Sequence, residues 1–507
     1  MKRIIILAAL AIGLPGVHTT LRAQDYNDLV FYSQGQATGT ARNLATGGAL
    51  NAIGGDLSTM ASNPAGMGLL RQYNAYVSGG MGLFIGREDF RGVNTRETKP
   101  FGSFDGIGAN FHFGGSAEQT TGLVGVNFGV AYNKLADYSY KYTAEGITDG
   151  ATFLDALAQE ANDTKFPPFP SRNDAFKGYN WYLALARPLD LVEPRKKDGK
   201  LMDKGDPPSE FDRYKVPWLP GERALQINEV NSTGKSSEVN IGLGFNISNR
   251  LFAGIALGIP SIRRSWTQIY TEKAADEPKD LISYEFMQEA SMEANGINLK
   301  LGLHGRPVEM LQLGFSIETP SFMQATSKSQ LFGKSYFLNG NTTFFNDKSP
   351  QSRFEYSFVS PLKAGASIAF IIPEGGFIGL DYRMTATPLA QFTSARFTQD
   401  NRNIQSATRY THALNLGGEL LIEFLAIRLG GGYQMNPYKA GYDNPIGQSY
   451  HAAGGIGIAL PGFWLDLSYR HLFQEGYSPL YSYGDIAALS KHKGQQTLLM
   501  ATVGFNL

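Results

Sequence analysis

From Glu238 to Ile247 the chain reads E-V-N-I-G-L-G-F-N-I, which puts Val239, Ile241, Leu243, Phe245 and Ile247 on one face and Glu238, Asn240, Gly242, Gly244 and Asn246 on the other. That is the period of two of a β-strand with one apolar face. The pattern returns with Val124, Val126, Phe128, Val130 and Tyr132, and again with Leu425, Ile427, Leu429 and Tyr433, where Arg428 takes the opposite face. Phe463, Leu465, Leu467 and Tyr469 alternate with Trp464, Asp466, Ser468 and Arg470. A slip of one residue there would turn Arg470 onto the apolar face, at a cost of about 2–4 kcal/mol if that face meets lipid at mid-depth, so the register is strongly specified.

A soluble two-layer sandwich also alternates, but its strands are short and its turns evenly spaced. Here very short links alternate with long polar excursions: Ser248-Asn249-Arg250, Gly305-Arg306-Pro307, Pro373-Glu374-Gly375-Gly376, Glu423-Phe424 and Pro461-Gly462 are the short ones. Transmembrane barrels have this asymmetry between their two ends. The last segment, Thr497 to Leu507, alternates through Leu499, Ala501, Val503, Phe505 and Leu507, long enough for one crossing. Strands are expected near 73–85, 102–113, 122–133, 236–248, 251–270, 282–304, 309–326, 352–372, 376–388, 406–423, 425–436, 448–460, 463–473 and 495–507. The reading is an all-β fold, a transmembrane antiparallel β-barrel of about 14 strands spanning 73–507. Residues 134–235 are too long for an ordinary loop and read as an extracellular insertion, in which Trp181 to Ala186 could add a strand. His412 falls on the lipid-facing phase of its strand, and Pro361 interrupts a strand whose apolar phase continues on both sides.

Composition narrows the chemistry. With 45 basic and 45 acidic residues the formal net charge is zero, and no basic stripe suits a nucleic acid. The chain has no cysteine, which removes disulfides, thiolate metal sites and a lipid-modified N-terminal Cys. Its seven histidines are not at metal-ligand spacing, and no hydrolase elbow, zincin motif or phosphate loop is present. No enzyme activity, cofactor or metal is therefore expected. Lys2 and Arg3 precede an apolar run from Ile4 to Leu14, and Leu21-Arg22-Ala23 resembles a cleavage site, so residues 1–23 read as a signal peptide. The lumen phase carries Glu238, Lys300, Lys363, Asp381, Arg383, Glu419, Arg428, Asp466 and Arg470, a set of both signs suited to an ion-paired lining. Arg383, Arg428 and Arg470 are candidates for meeting a ligand carboxylate, because a guanidinium can bind one bidentately.

Residues 24–72 do not alternate. Within them the stretch from Gly39 to Gly66, with Gly55-Asp56-x-Ser58 followed by Asn63-Pro64-Ala65-Gly66, resembles the N-terminal hatch of the FadL/TodX family of outer-membrane hydrophobic-compound transporters. The resemblance implies a fourteen-stranded barrel whose lumen is plugged by that hatch, in the outer membrane of a Gram-negative bacterium. It implies transport of a hydrophobic small molecule of the long-chain fatty acid or aromatic hydrocarbon class, captured by outer loops and released sideways into the membrane once the hatch shifts. The lateral exit of that family goes with a kink in strand three, so Gly125 and Gly129 in the third strand, and Pro361, are the candidate positions here. The partners implied are the ligand, outer-membrane lipid and the barrel assembly machinery. An alternative is a FadL-like barrel that docks or shuttles exported proteins in a type IX secretion system, with 134–235 as the docking surface.

Overall fold

The computed structural model describes residues 26–35, 39–114, 119–148, 150–218, 223–277, 280–339, 341–442, 447–483 and 486–506. The expected signal peptide lies outside these residues. The chain begins with helices α1 (Tyr26–Tyr32) and α2 (Ala41–Ala45), followed by 3₁₀ turns at Leu57–Ala61 and Pro64–Leu69. Strands β1 (Asn74–Phe90), β2 (Val93–Gly114), β3 (Leu123–Asp137) and β4 (Tyr140–Thr148) lead to α3 (Phe153–Asp163), α4 (Arg172–Gly178) and α5 (Trp181–Ala186). A separate hairpin pairs β5 (Glu193–Lys196) with β6 (Phe211–Lys215). Then come β7 (Ala224–Ile247), β8 (Leu251–Ala274), β9 (Leu281–Val308), β10 (Leu311–Glu318), β11 (Phe322–Asn339), β12 (Asn341–Lys348), β13 (Ser352–Val359), β14 (Lys363–Ile372), β15 (Gly376–Thr385) and β16 (Gln391–Phe392). Helix α6 (Thr398–Ala407) precedes β17 (Thr411–Ile422), β18 (Leu425–Gln434), β19 (Ser449–Leu460), β20 (Phe463–Tyr483) and β21 (Ile486–Asn506).

The strands pair antiparallel with their sequence neighbours, and β21 pairs with β1 from Asn74↔Asn506 to Asp89↔Lys491, which closes the sheet into a 14-strand barrel. Three crossings are interrupted and so count as one each: β3 and β4 both pair with β7, β10 and β11 both pair with β9, and β14 and β13 pair with β10 and β11 respectively. The short links make tight turns at one end, where Ser248 and Asn249 take φ of 55° and 54°. On the outside, Ile241, Leu243, Ile255, Leu257, Leu301, Phe315, Ile368, Leu416, Leu429 and Leu499 are exposed and form an apolar girdle. Alternation sends their neighbours inward, so Asn240, Lys300, Arg428 and Asp466 are buried. His412 does face outward, beside Tyr382, whose hydroxyl lies 2.8 Å from its Nδ1.

At the other end the wall is uneven. β8 and β9 run for 24 and 28 residues, whereas β15 and β18 have 10 each. Several strands continue well past their expected ends, because beyond the apolar girdle the outward side chains turn polar and alternation fades. The expected strand at 406–423 begins only at Thr411, its first residues belonging to α6. Residues 134–235 are not all insertion, since β3, β4 and β7 take up both of its flanks. Its middle folds into the tall side of the barrel: Leu154 and Leu157 of α3 and Leu183 and Leu185 of α5 pack with Tyr270, Tyr284, Phe286, Leu331 and Tyr481 from the inward rows. Thr152 and Asp155 form a capping box that starts α3. Trp181–Ala186 is helical, contrary to the expected strand: the Asn180 side chain accepts from Tyr182 N at 3.0 Å, and the burial of four consecutive residues, Leu183 to Ala186, removes the one-sided pattern.

Candidate functional site

The N-terminal segment packs against the inner wall at the short-turn end, and the Gly-Asp-x-Ser and Asn-Pro-Ala-Gly residues organise it. The Asp56 carboxylate accepts from Ser58 N at 2.9 Å, Ser58 Oγ at 2.7 Å and Thr40 Oγ1 at 2.5 Å, tying two ends of the segment together. Asn63 Oδ1 accepts from Ala65 N at 3.1 Å, and Pro64 opens the following 3₁₀ turn, where its missing N–H costs nothing. Gly55 N donates to Gly66 O at 3.2 Å. All seven motif residues except Gly55 are buried.

The wall opposite is cut to fit. A Cβ on Gly254 would lie 2.3 Å from the Pro64 carbonyl carbon, and one on Gly302 would lie 2.1 Å from Asn63 Oδ1. The inward-facing glycines of the alternating strands are thus the places where the segment's backbone approaches. Charge fixes the other side. Arg42 donates to Glu419 from Nε at 3.0 Å and Nη2 at 2.8 Å, while Arg428 bridges Glu419 and Asp466 at 2.5 Å each. Asn51 N donates to Asp381 at 3.1 Å and Ala41 N to Thr502 Oγ1 at 2.7 Å. A cavity of about 430 Å³ opens beside this cluster, lined by Arg42, Asp56, Leu70, Glu419, Trp464 and Asn506.

The three candidate guanidinium groups are not brought together. Arg428 belongs to the ion-paired cluster, Arg470 is buried with Nη2 3.3 Å from Gln496 Oε1, and Arg383 lines smaller cavities with Lys363 and Gly35. A fourth, Arg264, was missed. It sits inside the barrel with Trp266, Phe31 and Tyr140 rings 4.5, 5.0 and 5.6 Å from its Cζ. Its signal was the pair Arg263-Arg264 in an alternating strand, one of which must point inward.

The wall itself has a seam. The ladder between β2 and β3 runs from Gly114↔Gly125 to Gly106↔Asn133 and stops there. Residues 93–104 of β2 pair with β1 and, among the described residues, with no strand on their other edge. A bulge at Asp105-Gly106 marks the start, where Asp105, fully buried, pairs with Lys134 at 2.8 Å. Beyond it β4 runs behind the β1–β2 hairpin: a Cβ on the inward-facing Gly86 would lie 2.5 Å from Lys141 O. Side chains span the overlap, with Lys141 to Glu97 at 3.0 Å and Lys99 to Asn231 Oδ1 at 2.6 Å. Pro100 sits on the unpaired stretch, as prolines do on free edges. Gly129 lies within the intact ladder, against Met67 and Leu57 of the N-terminal segment, and Gly125 forms its last pair, beside a register shift against β7. Pro361 separates β13 from β14 and Pro320 separates β10 from β11, yet Ser360 N to Ser321 O at 3.0 Å and Ser321 N to Ser360 Oγ at 2.8 Å stitch the two breaks together.

No protein-family model and no curated protein sequence matches the chain. Solved structures similar in fold include a FadL homologue from Pseudomonas aeruginosa, with TM-score 0.52 and 11% identity over 92% of this chain and 99% of that one, and the toluene transporter TodX from Pseudomonas putida, with TM-score 0.50 and 12% identity over 93% and 99%. From its closed barrel to its extent, this chain shares the fold of the FadL and TodX barrels.

Proposed function

We propose that the protein lies in an outer membrane and transports a hydrophobic small molecule through its barrel, with residues 39–70 as a hatch. On this reading the apolar girdle contacts lipid, the short-turn end faces the periplasm, and the tall end with its helical insertion faces outward. The observation that carries the reading is the seam between β2 and β3, where the ladder ends at Gly106↔Asn133, an opening that a polar solute has no use for. An apolar molecule leaving there enters the bilayer without crossing water, and the overlap has no backbone ladder to break, being bridged by side chains: the polar pairs Lys141–Glu97 and Lys99–Asn231 and ring contacts such as Phe104 on Tyr132. The toluene transporter with the same fold supports the ligand class. The hatch blocks straight passage into the periplasm, which favours the sideways route.

The test uses the absence of native cysteine. Glu97→Cys with Lys141→Cys, joined by a reducible bis-maleimide, should lower uptake of toluene and oleate into proteoliposomes at least tenfold, and reduction should restore it. Full uptake by the fully cross-linked protein would move the exit elsewhere. Failure of the intact protein to take up either probe would overturn transport.

A further inference from the structure

On the outside of the barrel, β7, β8, β9 and β11 climb well past the apolar girdle. Val239 pairs with Ile259 and Ile297 with Phe322, the last apolar positions of the girdle on these strands. Two steps further along the same face, Lys235, Arg263 and Glu293 stand side by side. Above them come the rows Thr233-Ser265-Ser291-Lys328 and Asn231-Thr267-Glu289-Gln330. A half-buried apolar ledge of Ile269, Met287 and Phe332 follows. The two polar rows enclose a recess of about 380 Å³, floored by the short side chains of Thr233, Ser265 and Ser291 and rimmed by Glu289, Lys328 and Gln330.

The chemistry of this recess is unspent. Among the described residues, the Ser265, Thr267 and Ser291 hydroxyls have no hydrogen-bond partner, and Arg263, Lys328, Glu289 and Glu293 form no ion pair. Donors, acceptors and charges of both signs thus face outward in one place, the mixture that successive sugar hydroxyls and an anionic substituent require. Height narrows the occupant. A strand rises about 3.3 Å per residue and barrel strands tilt by about 40°, so the two rows, six and eight residues beyond Val239, stand about 15–20 Å above it. The headgroup layer of an ordinary phospholipid bilayer is only about 5–7 Å thick on each side, and ends below the recess. A lipid reaches it only through a headgroup of several polar units in a chain.

We propose that this outer face binds a glycolipid with an anionic oligosaccharide headgroup. Its acyl chains lie against Val239, Ile259 and Ile297, its sugars enter the recess, and Arg263 and Lys328 meet the anionic groups. The site continues the apolar girdle upward, so one molecule covers both the apolar rows and the polar ones. The proposal rests on the outer-membrane reading for the lipid's presence and on no step of transport.

The test measures lipid adducts by native mass spectrometry of the full protein released from detergent micelles. Four probes are compared: a lipooligosaccharide with a phosphorylated core, the same lipid trimmed of its core sugars, the core oligosaccharide freed of lipid, and phosphatidylethanolamine. The intact lipooligosaccharide should bind at least about tenfold tighter than each of the others. Ser291→Trp, which fills the recess, should reduce it to the level of the trimmed lipid. Arg263→Gln with Lys328→Gln should weaken it about tenfold while leaving the trimmed lipid within about twofold. Heat-modifiable gel mobility verifies that each variant is assembled. Equal binding of intact and trimmed lipid, or an unchanged preference in Ser291→Trp, overturns the proposal. Free oligosaccharide binding as tightly as the lipooligosaccharide overturns the lipid as occupant. Toluene uptake should be the same in Ser291→Trp as in the intact protein, and its absence from both would sink the transport reading while the lipid preference stands.

Discussion

Arg42 and Glu419, 377 residues apart in the chain, form a two-bonded ion pair that fastens the N-terminal segment to β17. Glu419 also accepts from Arg428, so a single buried carboxylate holds one guanidinium from the segment and one from the wall. Glu419→Ala strands both, and breaking a buried pair costs about 3–5 kcal/mol. The barrel, closed by the long β1–β21 ladder that Glu419 takes no part in, should still assemble and remain heat-modifiable. Small-ion conductance of planar bilayers should rise several-fold as the segment loosens. Arg42→Lys, which keeps charge but loses the fork, should have an intermediate effect.

Ala65 is fully buried where the Asn-Pro-Ala-Gly turn meets β9, its N 2.8 Å from where a Cβ on Gly302 would stand. Ala65→Leu overpacks that contact by about 1–3 kcal/mol. The expected outcome is an assembled barrel with uptake of an apolar probe or ion leakage changed several-fold. Unaltered uptake and leakage would make the turn a filler with no part in gating.

Phe505 pairs with Ala75 across the closing ladder and packs on Phe463 with ring centroids 5.7 Å apart. Removing Phe505–Leu507 takes away the first pairs of that closure. The intact protein should change gel mobility on heating in SDS and the truncated one should not. Identical mobility of heated and unheated intact protein would count against a closed barrel.

In the helical insertion, burial pushes the Glu160 carboxyl up from 4.5 to about 7, against the lowering effect of a hydrogen bond from Asn180. The folded form holds its proton more tightly than the unfolded form does, so this group favours folding most fully below pH 4.5. That contribution falls between pH 4.5 and about 7 and is constant above. Proteolytic nicking of residues 150–218 should therefore be slower at pH 5 than at pH 8. Glu160→Gln should flatten that dependence and protect the insertion at pH 8, and an unchanged pH profile in the variant would assign the effect to another group.

Much of this architecture is written locally. Alternation assigns a face residue by residue, so Ile241 and Leu429 outward, Arg428 and Asp466 inward, and the tight turn at Ser248-Asn249 follow from neighbours alone. The inward glycines Gly254 and Gly302 are visible in the same pattern, but what approaches them is not, because Asn63 and Pro64 lie in a segment without periodicity. Tertiary structure also decided where the wall parts: β2 bulges at Asp105-Gly106 and β3 shifts register between Lys134 and Ala136, and beyond these points β4 stays paired with β7 and leaves the edge of β2. It made Trp181–Ala186 a helix, with Leu183 to Ala186 buried in succession in the apolar core of the insertion. It brought Asp28 to Arg264 across more than two hundred residues. Side-chain direction is set by backbone geometry within a few residues, whereas the partner met in that direction depends on how the closed sheet brings distant segments into one lumen.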